Sequence, residues 1–200
     1  MINLSVFLNV VGAVIGSAAA CLYGVRIWMG KEQANLATWF IIFILDFVGL
    51  YLAYATGNTE PYIQIGWCVA ATIILLATFV RKGQWVWSKT ETGVLLICLT
   101  SVAIWLSSKA MTVSLLGYVT ADVISAIPQA KDYVKNPEAA RKSAWVWQVS
   151  IVAILFSIAA KLVNGEFGAE HTLVYVALLG LNAAMTYLCL RAPNKQGEGK

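Results

Sequence analysis

Long apolar runs alternate with short polar breaks along the whole chain. The runs are close to the length of about 20 residues that an α-helix needs to cross the hydrocarbon core of a bilayer. The pattern predicts seven helices, near residues 4–28, 36–56, 62–80, 92–108, 112–131, 143–162 and 171–190.

The amino-acid composition requires a lipid environment for these helices. Hydrophobic residues make up 60% of the chain and charged residues 12%, whereas soluble proteins have about 45–50% and about 25%. Seven spans fit into 200 residues only if the loops are short. We therefore predict an all-α membrane protein, with no room for a soluble domain and with a disordered polar tail over residues 192–200.

Lysine and arginine residues are distributed unevenly between the two sides of the predicted helices. One side receives all 14 of them except Lys109 and Lys161. Cytoplasmic loops carry such an excess, so we expect the N-terminus outside and the C-terminus in the cytoplasm. We expect the membrane to be the inner membrane of a bacterium. Five tryptophans near the basic boundary are expected to anchor the helices there: Trp28, Trp39, Trp85, Trp87 and Trp145.

The first eighty residues align with the last eighty. Gly12 falls on Gly117, and Trp39 falls on Trp145 after one inserted residue. The helix near 92–108 separates the halves and allows both to run in the same direction across the membrane, as in transporters built from parallel repeats. We expect a 3+1+3 arrangement: a triple-helix repeat over 1–81, a loop and linker helix over 82–111, and a second triple-helix repeat over 112–191.

A proline–glutamine pair, Pro128 and Gln129, lies near the cytoplasmic end of the first helix of the second repeat. Together with the 3+1+3 arrangement, this pair resembles the PQ-loop superfamily, which includes the SWEET sugar transporters. In that superfamily the proline breaks the helix and acts as a hinge for alternating access, as its chemistry favours. The resemblance implies a hinge at these two residues. Gly24 occupies the equivalent place in the first repeat and is expected to supply the flexibility there.

The segment Leu45-Asp46-Phe47-Val48-Gly49 is similar to a stretch of the cystinosin-like branch of the same superfamily. In that branch the aspartate is implicated in proton coupling. It lies in the second repeat there and in the first repeat here, so the resemblance implies this role for Asp46 only through the symmetry of the repeats.

Two carboxylates fall inside the predicted spans, at a cost of about 2.5–3.5 kcal/mol each for insertion. Asp46 and Asp122 both lie about 15 Å along their helices at 1.5 Å per residue, near the midplane, and Asn182 reaches a similar depth. Intramembrane carboxylates tend to face a cavity or a proton path. We expect these three residues, with Gln148, to bind solute. The alternative is that they hydrogen-bond between helices as packing residues.

These features predict a transporter that moves a small polar solute by alternating access, with protons as a candidate coupling ion. The alternative is a receptor or scaffold that uses the same fold without transport, because a fold does not fix a function. We do not expect an enzyme, since the sequence contains no organised set of catalytic residues or metal ligands. We also expect no cofactor and no nucleic-acid partner, and both a monomer and a homo-oligomer stay open.

Overall fold

The computed structural model describes residues 3–32, 34–55, 61–81, 87, 89–108, 111–165 and 168–191. Within these residues the chain forms seven α-helices and no strand. The helices are α1 (Leu4–Trp28), α2 (Leu36–Ala55), α3 (Tyr62–Val80), α4 (Lys89–Ser108), α5 (Met111–Lys135), α6 (Pro137–Val163) and α7 (Ala169–Arg191). The prediction of seven helices is confirmed, and α1 and α3 have the predicted bounds. The predicted tail over 192–200 lies outside the described residues.

Helix α6 begins at Pro137, well before the predicted residue 143. The side chain of Asn136 caps it by accepting a hydrogen bond from the Ala139 amide at 3.2 Å. Pro137 occupies the first helical position, where its missing N–H leaves nothing unpaired. The prediction used hydropathy alone. Hydropathy does not detect the polar first turns of α6, which precede its apolar run.

Helix α5 continues through the predicted hinge at Pro128 and ends at Lys135. Proline offers no N–H to the carbonyl four residues earlier, and its ring crowds the preceding turn. Helix α5 therefore lacks one backbone hydrogen bond at this position while remaining a single element.

Large apolar side chains cover the outer surface. Val14, Phe79 and Val134 are 61%, 69% and 68% exposed. Apolar patches of this extent mark a surface that faces lipid or a partner. Among the described residues, α1, α2, α3, α6 and the Leu173–Arg191 part of α7 are long and apolar enough to cross a bilayer. The chain is therefore an all-α membrane protein.

The helices of each half pack in the same order. In the first half α3 lies between α1 and α2, and in the second half α7 lies between α5 and α6. Helix α1 packs along α6, and α2 packs against α5. Helix α4 packs mainly against α5 and also touches α2. The two halves therefore meet chiefly along the helix pairs α1–α6 and α2–α5.

Two glycines bring α1 into close contact with α6. A β-carbon on Gly12 would lie 2.8 Å from the carbonyl oxygen of Ala153 and 3.0 Å from the β-carbon of Phe156. A β-carbon on Gly16 would lie 3.1 Å from the β-carbon of Ala153. Small residues spaced four apart let membrane helices approach closely, and packing then holds the helices together. The seam between the halves depends on these missing side chains.

Candidate functional site

A central cavity lies between the two halves. Residues of α1, α2, α3, α5, α6 and α7 line it, and its empty space is about 1020 Å³, open solvent at its mouth included. Small side chains on the lining helices leave this room, among them Gly16, Ala20, Ala70, Ala71 and Ala126. A cleft between helices with a largely apolar wall and a few polar groups is the usual form of a small-molecule site.

Asp46 and Asp122 both line the central cavity. Asp46 follows Leu45, which is fully buried in the core between α2, α4 and α5, so the next side chain along α2 turns toward the cavity. Asp46 is on α2 and Asp122 is on α5, two helices that pack against each other across the seam. The described lining contains no lysine, arginine or histidine. The structure thus brings the two aspartates together without a basic partner among the described lining residues.

Asn182 and Gln129 also line the cavity, and each is largely buried. The Asn182 amide nitrogen donates to the Leu178 carbonyl at 2.8 Å, within its own helix. This bond orients the side chain. The amide oxygen is the group of Asn182 that can accept a hydrogen bond. The Gln129 side chain lies beside Tyr23 of α1 and Tyr133 of its own helix, which also line the cavity. Gln129 therefore links α1 and α5 through side chains.

Aromatic side chains form much of the cavity wall. Six of them line it: Tyr23, Trp39, Trp67, Tyr118, Tyr133 and Trp147. The rings of Tyr23 and Trp39 lie 5.8 Å apart in a tilted arrangement. From the sequence, Trp39 is expected to be an interfacial anchor, and no role is predicted for the other five. The alignment of Trp39 with Trp145 in the repeat does not indicate which of the two rings faces inward.

Two buried polar atoms beside the cavity have no hydrogen-bond partner among the described residues. They are the Thr38 hydroxyl and the Trp39 indole nitrogen, on neighbouring residues of α2. Both residues line the cavity, and Thr38 is 1% exposed. Buried polar groups are nearly always paired, so each unpaired one requires an explanation. Each of the two atoms has almost no accessible surface, so a ligand in the cavity would not reach it in this conformation.

A polar network, the Glu32 network, closes the seam at the end of the cavity where α1 ends. The Arg26 guanidinium contacts Glu32 at 3.1 Å, and the Ser143 hydroxyl donates to the other Glu32 oxygen at 2.7 Å. Arg26 also lies over the Trp145 ring, 5.9 Å from its centre. Nearby, the Trp147 indole nitrogen donates to the Tyr133 hydroxyl at 3.3 Å. The loop after α1 is thereby tied to α6 of the other half.

Three predicted site residues lie outside the described cavity lining. Gln148 is on the exposed side of α6, next to Trp147, which does line the cavity. Pro128 is half-buried in α5. Gly24 is buried against α3, where a β-carbon would lie 2.9 Å from Ile73. Of the residues predicted to bind solute, the structure gathers Asp46, Asp122 and Asn182 and leaves Gln148 apart.

Three hydroxyl groups on the helices that line the cavity bond carbonyls of their own helix. Ser17 donates to Ala13, Thr72 to Cys68 and Ser150 to Val146. Ser150 alone of these three is in the described lining. Such bonds within one helix are common for serine and threonine, and they make these residues poor candidates for solute contacts.

The described part of the chain holds no cluster of three or more histidine, cysteine, aspartate or glutamate side chains suited to a metal ion. Comparison of the chain with protein-family models, curated proteins and solved structures finds no match.

Proposed function

We propose that this chain is a membrane transporter that moves a small polar solute by alternating access between two triple-helix bundles. The observation that carries the proposal is the central cavity, which lies at the seam between the halves and contains two carboxyl groups without a basic partner in its described lining. Transporters built from repeats place their solute site near the midplane at the interface of the repeats.

The 3+1+3 arrangement is part of this proposal. Helix order supports it, because the third helix of each half lies between the other two. The contacts at the seam support it as well: exchanging the halves converts the pair α1–α6 into the pair α5–α2, and both pairs are in contact. Helix α4 is then the linker, and all seven helices cross the membrane.

The orientation we propose places the Glu32 network on the cytoplasmic side of a bacterial inner membrane. Arg26, Lys31 and Arg81 lie at neighbouring helix ends there, where the Arg81 guanidinium bonds the Trp28 carbonyl. The contact between Glu32 and Ser143 brings the start of α6, with its own basic residues, to the same end. An excess of lysine and arginine is typical of cytoplasmic ends.

Alternating access requires the two bundles to separate at one end and then at the other. The Glu32 network holds them together at the proposed cytoplasmic end, and the close packing of Gly12 and Gly16 against α6 holds them along the opposite half of α1. Pro128 lies in α5 beside Gln129 of the cavity wall. In this mechanism Pro128 is the point where α5 bends as the cytoplasmic end opens, and Gly24 is its counterpart in α1.

We expect Ser143→Ala to loosen the proposed cytoplasmic end. A hydrogen bond to a charged group contributes about 1.5–3 kcal/mol, and about 1.4 kcal/mol corresponds to a tenfold change in an equilibrium constant. Hydrogen–deuterium exchange measured by mass spectrometry should therefore speed up about tenfold over residues 29–35. Ser107→Ala, which removes a hydroxyl bonded only within α4, should leave this segment unchanged. Equal exchange in both variants would contradict a closing role for the network.

The transport proposal is tested by uptake into proteoliposomes that hold the purified full-length protein. Sugars, amino acids, nucleosides and small amines are offered with and without an imposed pH gradient, and protein-free liposomes serve as the control. Uptake of one solute class above the control supports a transporter, and a dependence on the gradient adds proton coupling. Absence of uptake for every class, in protein with an intact helical circular dichroism spectrum, would contradict transport and favour a receptor or scaffold on the same fold.

A further inference from the structure

We infer that the solute of the central cavity is a small organic cation. The inference rests on the proposed function for the location of the site, and it narrows the solute from any polar molecule to a positively charged one.

Charge is the first argument. The described lining offers two carboxyl groups and no basic side chain. Arg26, a nearby guanidinium, is already paired with Glu32 at 3.1 Å. A carboxylate left uncompensated away from water is costly, and a cation between two of them recovers part of that cost. An anionic solute would add a further negative charge to the same space.

The aromatic wall is the second argument. Trp39, Trp67 and Trp147 line the cavity together with three tyrosines. The face of an indole ring attracts a cation, and the attraction is stronger where water is excluded. Quaternary and other alkylated ammonium groups are recognised by aromatic side chains in this way. Carboxylates and indole rings that line one space therefore favour the same class of solute.

A pair of probes that differ only in charge tests the inference. Choline carries a quaternary nitrogen and a hydroxyl, and 3,3-dimethyl-1-butanol has the same shape with carbon in place of the nitrogen. Binding to the full-length protein in lipid nanodiscs is measured by titration calorimetry and by tryptophan fluorescence. Ethanolamine, glucose and glutamate complete the panel as a smaller cation, a neutral polar solute and an anion.

We expect at least one of the two cations to bind at least about tenfold more tightly than the neutral isostere, because only a cation gains from the charge of the carboxylates. Asp46→Asn and Asp122→Asn should each remove most of this preference while keeping the shape of the side chain. Glu138→Gln removes a carboxylate that is exposed and lies outside the described lining, and it should change nothing.

The outcomes separate this inference from the proposed function. Equal binding of choline and its neutral isostere, preferential binding of glucose or glutamate, or no binding of either cation to folded protein would each overturn the cation assignment. Uptake of a neutral solute into proteoliposomes alongside such a result would leave transport standing. Aspartate-dependent binding of a cation without uptake would support the assignment and contradict transport.

Discussion

Replacing Asp46 or Asp122 by asparagine is expected to abolish gradient-driven solute uptake while the protein remains folded. Asparagine has the same shape as aspartate and keeps hydrogen-bonding groups, but it cannot carry a negative charge or exchange a proton. For the cationic solute inferred above, loss of the carboxylate that pairs with the buried cation costs about 2–5 kcal/mol, and each 1.4 kcal/mol is tenfold. Uptake should therefore fall by about 30-fold or more in either variant.

The double variant should be little worse than either single one. The two carboxyl groups line one cavity, and titratable groups that interact behave as one unit rather than as two independent sites. Effects of residues that act together are not additive. The measurement is initial uptake rate in proteoliposomes with matched protein content and matched orientation.

Glu138→Gln is the control for loss of a carboxylate, because Glu138 is paired with Lys142 at the exposed start of α6, outside the described lining. Retention of full gradient-driven uptake in Asp46→Asn, with loss only in Asp122→Asn, would assign the coupling to Asp122 alone. Full uptake in both variants would remove the two aspartates from the mechanism and favour the packing interpretation of their burial.

The positions of the helices could be predicted from the sequence because the bilayer imposes a length and a composition on each span. The site could be predicted in part for a related reason. Polar residues at mid-membrane depth are costly, so Asp46, Asp122 and Asn182 stand out among apolar neighbours, and all three line the central cavity.

The direction in which a side chain points was harder to predict. Gln148 is exposed while its neighbour Trp147 lines the cavity, and a step of one residue turns a helix by about 100°. In a soluble helix the apolar stripe identifies the inner face. Here lipid and core are both apolar, so α6 carries no such stripe to orient the prediction.

Contacts between distant parts of the chain were beyond the sequence analysis. Glu32 follows α1 in a polar break, where a solvated carboxylate is the ordinary expectation. In the structure it is 6% exposed and accepts a hydrogen bond from Ser143, on the other half of the chain. The inward-facing aromatic residues were missed for a comparable reason, since tryptophan near a membrane boundary is typical of an anchor as well as of a cavity wall.

Gly12→Leu is expected to prevent stable association of the two halves. Even a β-carbon at this position would lie 2.8 Å from the backbone oxygen of Ala153, and a backbone atom cannot move aside as the end of a flexible side chain can. Overpacking a close contact costs about 1–3 kcal/mol and sometimes more. For a chain of this size, 1 kcal/mol corresponds to about 2–4 °C in melting temperature, so Gly12→Ala should lower it by several degrees and Gly12→Leu should yield little folded protein.

Gly180 provides the matched control for a glycine substitution in a helix. It lies in α7, is exposed, and a β-carbon there would meet nothing within 4 Å. Gly180→Ala should leave the melting temperature unchanged or raise it slightly, since alanine favours the helix by up to about 1 kcal/mol over glycine. The measurement is thermal unfolding of each purified variant in the same detergent, followed by tryptophan fluorescence. If Gly12→Ala proved as stable as Gly180→Ala, α1 and α6 would not be held in the close contact described here. Both the proposed function and the inferred solute rely on the seam between the two halves around the cavity. Other helices would then have to form that seam.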